Sequence, residues 1–590
     1  MKARGFKVMK KRSLLIVLLG MLLTGCDLSF NLSFNLGDVT PSLPGVTTSS
    51  SQGNSSISQS SVNGTSSSYQ SSENFSSSNP SSSQTSKPIV TENRKVKLYA
   101  LNDFHGSVIE QTTDYGVEQG ILKYGTYFKN KGAEENTLIL SSGDMWQGSL
   151  ESNYNYGTML TEIMNEAEFD AFTIGNHEFD WGVEKIIANR QLKDIDTNYQ
   201  TPFLAGNIYN YNINSATVYD HASDLGDKYV IRELENGLKV GIIGVIGEGQ
   251  ISSISSQFSD PYTFLKMTDI IKKLSDELRM DHDCDVVVLD AHASTEEIAG
   301  STTQDDEGIT KVSTISGERY VDAVFGAHTH KYEDYYINNV PFVQSGGNGM
   351  GHSEIVLNVD PNGNVTCEKY SSHKDDVTEV SSISTYDQGI VDIVNKYKEE
   401  SDSIGEEKLG TVQGYFNNST AYDFANVVVA AIADYASLND IEIDYAMTNN
   451  ARAKVNTGDL TYRDLYKALP FDNEVFILEV DGYSLNKQAG YDSIFTYRVN
   501  KEALNTSKKY KVAIIDYLGF HRNDNRQYDK FKGATNLGKL EKVPGEMYNY
   551  REITADYVRR LTANNKVLNS ANYNRNVDAF NGKKLTSAIS

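Results

Sequence analysis

Six short apolar runs between residues 95 and 327 constrain the fold more than any other feature of this 590-residue chain. They read VKLYAL, TLILSS, DAFTIG, VGIIGVIG, DVVVLDA and VDAVFGA. Longer stretches with helical periodicity separate them, for example TFLKMTDIIKKLSDELRM. Continuous apolar runs of this length that alternate with helices are typical of buried strands in a layered domain. The sequence therefore predicts the α/β fold class for this region.

Changes in composition divide the rest of the chain into further segments. The apolar runs fall in a predicted catalytic domain over residues 94–370, and a charged helical stretch within residues 371–404 is expected to link it to a second domain. That second α/β domain would occupy residues 405–590. Residues 27–93 are dominated by serine and cannot bury enough apolar surface to offset the entropy lost on ordering. We expect this segment to be a disordered tether.

The first 26 residues indicate export. A basic head precedes the apolar run LLIVLLGMLL, and the segment ends in LTGC. A bilayer requires about 20 apolar residues, so this shorter run is typical of a signal-peptide core. LTGC resembles a bacterial lipobox, which implies cleavage before Cys26 and attachment of a lipid to its sulfur. An ordinary secretory signal is the alternative. The lipid anchor would place the protein at the extracellular face of the bacterial cell membrane.

Charge and cysteine content exclude several classes of protein. A net charge of −24 argues against binding of nucleic-acid polymers, because no basic face is present to neutralise the backbone phosphates. An acidic enzyme can still act on small phosphate compounds if metal ions supply the positive charge. Three cysteines in the whole chain exclude a disulfide framework and a thiolate metal cage.

Polar side chains suited to metal binding stand at the ends of the apolar runs, in LNDFHG, SSGDMWQGS, IGNHEFD, VVLDAHAS and FGAHTHK. Because the carboxyl ends of parallel strands meet at one edge of a sheet, these side chains are expected to converge. Asp103 and His105 are two residues apart, as are His328 and His330, so in an extended chain the side chains of each pair point to the same side. The pattern predicts a metal site. Its candidate ligands are Asp103, His105, Asp144, Asn176, His292, His328 and His330.

The order of these motifs resembles a known family. Asp-x-His, Gly-Asp, Gly-Asn-His-Glu, His and Gly-x-His-x-His follow one another as in the calcineurin-like metallophosphoesterases. GNHEFDWG with a second C-terminal domain is similar to the bacterial 5'-nucleotidase and UDP-sugar hydrolase branch. The resemblance covers about residues 95–540. It implies a four-layer α/β/β/α metallophosphoesterase sandwich joined by a helix to a C-terminal α/β substrate-binding domain.

The resemblance also implies a centre of two divalent metal ions, with Zn, Mn, Co and Fe as candidates. One ion would be held by Asp103, His105 and His330. The other would be held by Asn176, His292 and His328. Asp144 would bridge the two. Such ions lie about 3.5–4 Å apart and lower the pKa of a bridging water, and the resulting hydroxide would attack phosphorus in line with the leaving oxygen.

The same resemblance gives a catalytic role to two residues beside the ligands. His177 would stabilise charge that develops on the phosphoryl group or the leaving group. Asp180 would orient and charge the imidazole of His177. The two are three residues apart, so their side chains touch if the chain turns helically there.

The C-terminal motif TNNARAKVNTGDLTYRDLYKALPFDNEV resembles the substrate-binding part of the same branch. The implied substrate contacts are Asn450, Arg452, Phe471 and Tyr517. Arg452 would contact phosphate, while Phe471 and Tyr517 would stack on a base, an interaction worth about 1–3 kcal/mol per base. Ordinary core packing is the alternative for Phe471.

Two departures from the branch bear on the substrate. Its usual Gly-Gly-Ile-Arg turn is TNNARA here, and no arginine lies between Arg319 and Arg452, so Asn417, Asn418 and Ser419 stand about where arginines are usual. Arginine forks grip phosphate monoesters, and amides suit a less charged group. We therefore expect a 5'-nucleotidase-like hydrolase of extracellular nucleotides, with a 2',3'-cyclic nucleotide phosphodiesterase or a nucleotide-sugar hydrolase as alternatives. A non-catalytic surface binding protein on the same scaffold is an alternative of another class.

Overall fold

The computed structural model describes residues 91–573, apart from residues 114, 300–307, 419–420, 500–502, 524–526 and 543–547. The predicted signal peptide, the Cys26 lipobox, the tether up to residue 90 and Ser419 lie outside the described residues. Within the described ranges, no helix is both long and apolar enough to cross a bilayer.

Two six-stranded sheets lie at the centre of the N-terminal domain. The first has the spatial order Val365–Lys374, Gly351–Val359, Arg94–Leu101, Thr137–Ser141, Ala171–Thr173 and Phe203–Leu204. The second has the order Glu333–Ile337, Val340–Gln344, Ala323–Phe325, Val286–His292, Lys239–Ile246 and Tyr229–Glu233. Four neighbouring strands run parallel in each sheet. Their carboxyl ends therefore share an edge, as the sequence pattern requires.

Helices cover the outer face of each sheet. Along Arg94–Leu101, Val96, Leu98 and Ala100 pack between the two sheets, whereas Tyr99 and Leu101 pack against the outer helices. Burial of both faces explains why the predicted strands read as continuous apolar runs. The helices are Gly120–Gly132, Leu150–Asn153, Thr158–Glu166, Val183–Arg190, Ser256–Ser259, Met267–Met280 and Thr295–Ala299. The predicted four-layer α/β/β/α arrangement is confirmed.

Smaller elements complete this domain. Ile208–Asn212, Thr217–His221 and Tyr262–Phe264 form a three-stranded sheet, and Gln111–Thr112 pairs with Val117–Glu118 in a hairpin. The short 3-10 helices are His177–Phe179, Glu248–Ser253 and Asp375–Val377. His177–Phe179 lies within the motif IGNHEFD, directly after the candidate ligand Asn176, so it sets the direction of the side chains there.

The helix Gln388–Gly405 leads from the N-terminal domain to the C-terminal domain. The carboxylate of Asp387 caps it by accepting a hydrogen bond from the Ile390 amide, at 3.2 Å. Ile390 and Val394 pack into the outer core of the first sheet. The linking helix is therefore anchored on the N-terminal domain. It starts at Gln388, directly after its cap Asp387, while residues 365–374 belong to a strand.

The C-terminal domain is a second α/β unit. Its five-stranded sheet has the order Ile494–Arg498, Tyr445–Asn449, Lys509–Ile515, Val475–Asp481 and Thr535–Lys539. A three-stranded sheet contains Gly458–Thr461, Lys408–Gln413 and Leu568–Asn569. The helices are Ala425–Leu438, Tyr462–Ala468, Gly482–Ala489, Asp516–Gly519 and Tyr550–Ala563, with the 3-10 turn Ser570–Asn572. Ala425–Leu438 is buried on nearly all sides, which explains its alanine and valine content.

Candidate functional site

The candidate ligands lie at or just beyond the carboxyl ends of strands from both sheets, where the edges of the sheets meet. Five of them have left-handed backbone conformations, with φ of 49° at Asp103, 51° at His105, 54° at Asp144, 73° at His328 and 55° at His330. Such conformations cost non-glycine residues about 1–3 kcal/mol each and cluster at functional sites. The fold therefore bears a conformational cost to aim these side chains at one point.

The first group of ligand atoms comes from Asp103, His105 and His330, which all lie within 4.8 Å of one another. His105 Nε2 is 3.1 Å from His330 Nε2, and His330 Nε2 is 3.5 Å from Asp103 Oδ1. Two imidazole nitrogens and a buried carboxylate oxygen at these separations form an arrangement that a cation stabilises. These three residues are the ones that the family resemblance assigned to one metal ion, and the structure brings them together.

The second group comes from Asp144, His292 and His328, again within 4.8 Å of one another. His292 Nε2 is 3.2 Å from Asp144 Oδ2 and 3.1 Å from the amide oxygen of Asn176. Asp144 Oδ2 also lies 3.9 Å from His105 Nε2, which belongs to the first group. Asp144 thus stands between the two groups, in the position predicted for a bridging ligand.

Backbone contacts orient the ligand imidazoles. The Nδ1 of His105 donates to the carbonyl of Gln147, and the Nδ1 of His292 donates to the carbonyl of Ser142, both at 2.9 Å. Each contact places the proton on Nδ1 and leaves Nε2 available to bind a metal ion. Glu178 accepts hydrogen bonds from the amides of Asp144, Met145 and Gly175 at 2.8–2.9 Å, so it joins the two loops that carry the ligands.

The titration behaviour of the ligands also suits metal binding. Burial, with the nearby His330, holds the pKa of His105 well below its usual value, and burial with His292 lowers the pKa of His328 to about 4. Both rings are therefore neutral, which is the form that binds metal. Burial opposes a charge on His292, but Asp144 outweighs it and raises the pKa to about 10. A cation would take the place of that proton. The mixture of carboxylate, imidazole and amide donors fits Zn, Mn, Co or Fe.

His177 and Asp180 form the predicted pair. The turn His177–Phe179 brings His177 Nδ1 to 2.8 Å from Asp180 Oδ2. Burial disfavours the imidazolium, but the charges of Asp180 and Asp144 raise the pKa of His177 to about 9. The backbone amide of His177 donates to Asp144 Oδ1 at 2.9 Å. The ring also lies within 4.8 Å of ligand atoms of His105 and Asp144, so its geometry permits metal binding as well as charge stabilisation.

The C-terminal domain contributes aromatic and basic groups to the same place. The Phe471 ring stacks on His177, with centroids 5.7 Å apart and 22° between the planes, and the Arg452 guanidinium lies 4.9 Å from the Phe471 centroid. Both line a cavity of about 460 Å³ that also contains Tyr517. Asn450 lies instead 3.4 Å from the Asn418 carbonyl, and its neighbour Asn449 lines the cavity.

Two family descriptions match the chain. Residues 96–332 match the calcineurin-like phosphoesterases, and residues 408–489 match the C-terminal domain of 5'-nucleotidases. The chain combines a calcineurin-like phosphoesterase domain with a 5'-nucleotidase C-terminal domain. The N-terminal phosphoesterase domain is therefore that of a metal-dependent phosphoester hydrolase.

The chain is also similar to individual proteins. Endonuclease YhcR of Bacillus subtilis is 24% identical over 67% of this chain, which spans about a third (32%) of that relative's length. Cell wall protein Lmo0130 of Listeria monocytogenes is 24% identical over 79% of this chain and 68% of its own length. The crystal structure of a 5'-nucleotidase precursor from Thermus thermophilus covers 79% of this chain and 97% of its own, with a TM-score of 0.61 and 15% identity. At that identity the likeness concerns the fold.

Contacts between the phosphoesterase domain and the 5'-nucleotidase domain were missed by the sequence reasoning. Trp181 Nε1 donates to Asp472 Oδ2 at 3.1 Å, which joins the segment after Asp180 to the loop that carries Phe471. Arg551 holds this loop through the carbonyls of Leu469 and Phe471, at 2.9 and 3.0 Å, and through Asp472. Trp181 and Asp472 lie inside the motifs GNHEFDWG and LPFDN, which could have pointed to them. Arg551 lies in a helix without any such signal.

Proposed function

We propose that the protein hydrolyses phosphate esters of nucleotides at this centre, with two divalent metal ions as cofactors. The observation that carries the proposal is the convergence of the ligand groups around Asp144, directly beside a cavity lined by Arg452, Phe471 and Tyr517. The ligand groups suit a phosphate at a metal centre, and the aromatic residues of the cavity suit an attached base. A nucleotide supplies both parts.

The roles of the side chains follow from their positions. Metal ions held by the two ligand groups would polarise the phosphoryl group and supply an activated water. His177, protonated at neutral pH, stabilises the negative charge that develops on the phosphoryl oxygens or the leaving oxygen. Asp180 holds the imidazole in place through its contact with Nδ1. Arg452 adds a fixed positive charge beside Phe471, and Tyr517 offers a ring face to the base.

A chelator test addresses this proposal. Treatment of the full chain with EDTA is expected to abolish hydrolysis, and Mn²⁺, Co²⁺ or Zn²⁺ is expected to restore it, because the proposed nucleophile is a water activated by the metal ions. The substrates to compare are 5'-monophosphates, 2',3'-cyclic phosphates, ADP, ATP and UDP-glucose, by release of phosphate or nucleoside. Hydrolysis that persists without metal, or that occurs with none of these substrates, would refute the proposal.

The 2',3'-cyclic nucleotide phosphodiesterase and the nucleotide-sugar hydrolase remain alternatives at the same centre. One observation favours them. Asn418 lies in the region where arginines are usual in the branch, and its side-chain amide donates to the carbonyl of Arg452 at 3.1 Å. An amide there neutralises less phosphate charge than a guanidinium does. The substrate comparison separates them from a 5'-nucleotidase by the preferred substrate.

We also propose that hydrolysis takes place at the extracellular face of a bacterial membrane. The lipobox in LTGC would anchor the chain through Cys26. Cys26→Ala is expected to move the protein from the membrane fraction to the medium, as followed by immunoblotting. Cys367→Ala serves as the matched control. Retention of the Cys26 variant in the membrane would argue against the lipid anchor.

A further inference from the structure

A second cavity, of about 610 Å³, opens on the same ligand cluster. It shares His177, His328, Arg452 and Phe471 with the first cavity, and it alone reaches His105 and His330. Both volumes fall within the range of about 300–1,000 Å³ typical of small-molecule sites. The candidate metal centre therefore adjoins two cavities that share four lining residues, whereas a phosphate monoester carries a single organic group to fill them.

The far wall of the second cavity is built by both domains. Glu118, on the hairpin of the phosphoesterase domain, accepts hydrogen bonds from Ser107 at 2.9 Å and from Gln111 at 2.6 Å. Lys467 of the 5'-nucleotidase domain donates to Gln111 at 3.1 Å. Tyr115 projects from the hairpin, 85% exposed, and lines the same cavity. This wall offers hydroxyl, amide and ring contacts in addition to the candidate metal ligands.

The two cavities differ in charge. Besides His177, which lines both cavities, the first is lined by Asp180, Asp472, Glu474 and Asp516, with Arg452 and Lys185 as its cations. Burial raises the pKa of Asp516 to about 7, so this carboxyl is only partly ionised at neutral pH. The second is lined by Arg452, Lys454 and Lys467, with Glu118 as its carboxylate besides the candidate ligand Asp144. The net charge of the whole chain is −24, so the predominantly positive lining of the second cavity favours a group that carries phosphate.

We propose that the second cavity binds a second substituent on the same phosphorus, so that the substrate is a phosphodiester between two nucleosides or a short oligonucleotide end. This inference rests on the proposed function and names its substrate class. A diester carries one negative charge fewer than a monoester dianion, which agrees with Asn418 lining this cavity in the region where arginines are usual. Phosphates beyond the scissile one would meet Lys454 and Lys467.

The reaction balances as a hydrolysis. The oxygen of water bonds to phosphorus, and the bond from phosphorus to the ester oxygen on the side of the first cavity breaks. That oxygen takes a proton and leaves as a nucleoside hydroxyl. The group in the second cavity remains esterified to the phosphate and leaves as a nucleotide. His177 lines both cavities, but Asp180, which orients its imidazole, lines only the first of the two, and this favours a leaving oxygen on that side.

The experiment compares a dinucleoside monophosphate, adenylyl-adenosine, with 5'-AMP on the Mn²⁺-loaded full chain. We expect kcat/KM to be at least tenfold higher for the dinucleotide. Lys467→Gln and Tyr115→Ala are each expected to lower kcat/KM for the dinucleotide about tenfold more than for 5'-AMP, since they remove a charge-assisted contact and a stacking surface. Lys193→Gln and Tyr219→Ala, exposed outside both cavities, are the matched controls.

A binding measurement distinguishes a failure of the second-substituent site from a failure of the proposed function. Calorimetric titration of the EDTA-treated protein should show that Lys467→Gln lowers the affinity for adenylyl-adenosine at least fivefold and lowers the affinity for 5'-AMP less. Preference for 5'-AMP, or equal losses for both ligands, overturns the second-substituent site while the proposed phosphoesterase stands. If neither these two compounds nor any substrate of the chelator test is hydrolysed with any metal, the proposed function falls, and the titration still decides whether the second cavity binds the additional nucleoside.

Discussion

Asp144→Asn is expected to reduce phosphoester hydrolysis about 10³-fold or more. Asp144 Oδ2 lies 3.2 Å from His292 Nε2 and 3.9 Å from His105 Nε2, so this one oxygen serves both ligand groups. The charge of His292 and of His177 holds the pKa of Asp144 well below its usual range despite burial, so the group is a full anion. Asparagine keeps the shape but removes the charge on which both candidate metal positions depend.

Two measurements make the result specific. The metal content of the purified variant, by mass spectrometry of the elements, should fall together with activity. Asp281→Asn, the same chemical change at an exposed residue after a helix, should leave both at the wild-type level. An Asp144→Asn variant with near wild-type hydrolysis would show that the cluster is not the catalytic centre. If the wild-type protein shows no hydrolysis and the Asp144→Asn variant still binds a surface partner normally, the non-catalytic alternative is supported.

The convergence of the candidate ligands was predictable because strand geometry connects sequence position to position in space. Each lies at or just after the end of an apolar run, and parallel strands bring those ends to one edge. Asp103 and His330 are more than 200 positions apart in the sequence, yet Asp103 Oδ1 lies 3.5 Å from His330 Nε2. The α/β/β/α layers followed from the same runs, since strands buried on both faces read as continuous apolar segments. Local chemistry and simple topology were sufficient there.

The arrangement between the two domains could not be predicted in the same way. The contacts of Trp181 with Asp472 and of Phe471 with His177 depend on how one domain is oriented on the other. No periodicity or motif encodes that orientation. Arg551 is a further case, because its role comes from three partners in a loop about 80 positions away. The second cavity, which both domains line, was invisible to the sequence for the same reason.

His177→Gln is expected to lower kcat about 10²- to 10⁴-fold while the metal content stays at the wild-type level. The imidazole is charged at neutral pH because Asp180 and Asp144 outweigh the effect of burial and raise its pKa to about 9. Glutamine keeps a polar group of similar length but carries no positive charge. Loss of metal together with activity would contradict the charge-stabilising role and identify His177 as a ligand, which its position near His105 permits.

Combination with Asp180→Asn tests whether the two residues act as one unit. Asp180 contacts His177 Nδ1 at 2.8 Å, and no metal-ligand group contains it among the described residues, so its effect should pass through the imidazole. Asp180→Asn alone should lower kcat about tenfold, through loss of orientation and of the charge that raises the pKa of His177. In the His177→Gln background the same change should have little further effect, because its target is already gone. Losses that simply multiply in the double variant would mean that Asp180 acts on the substrate or the metal centre independently of His177.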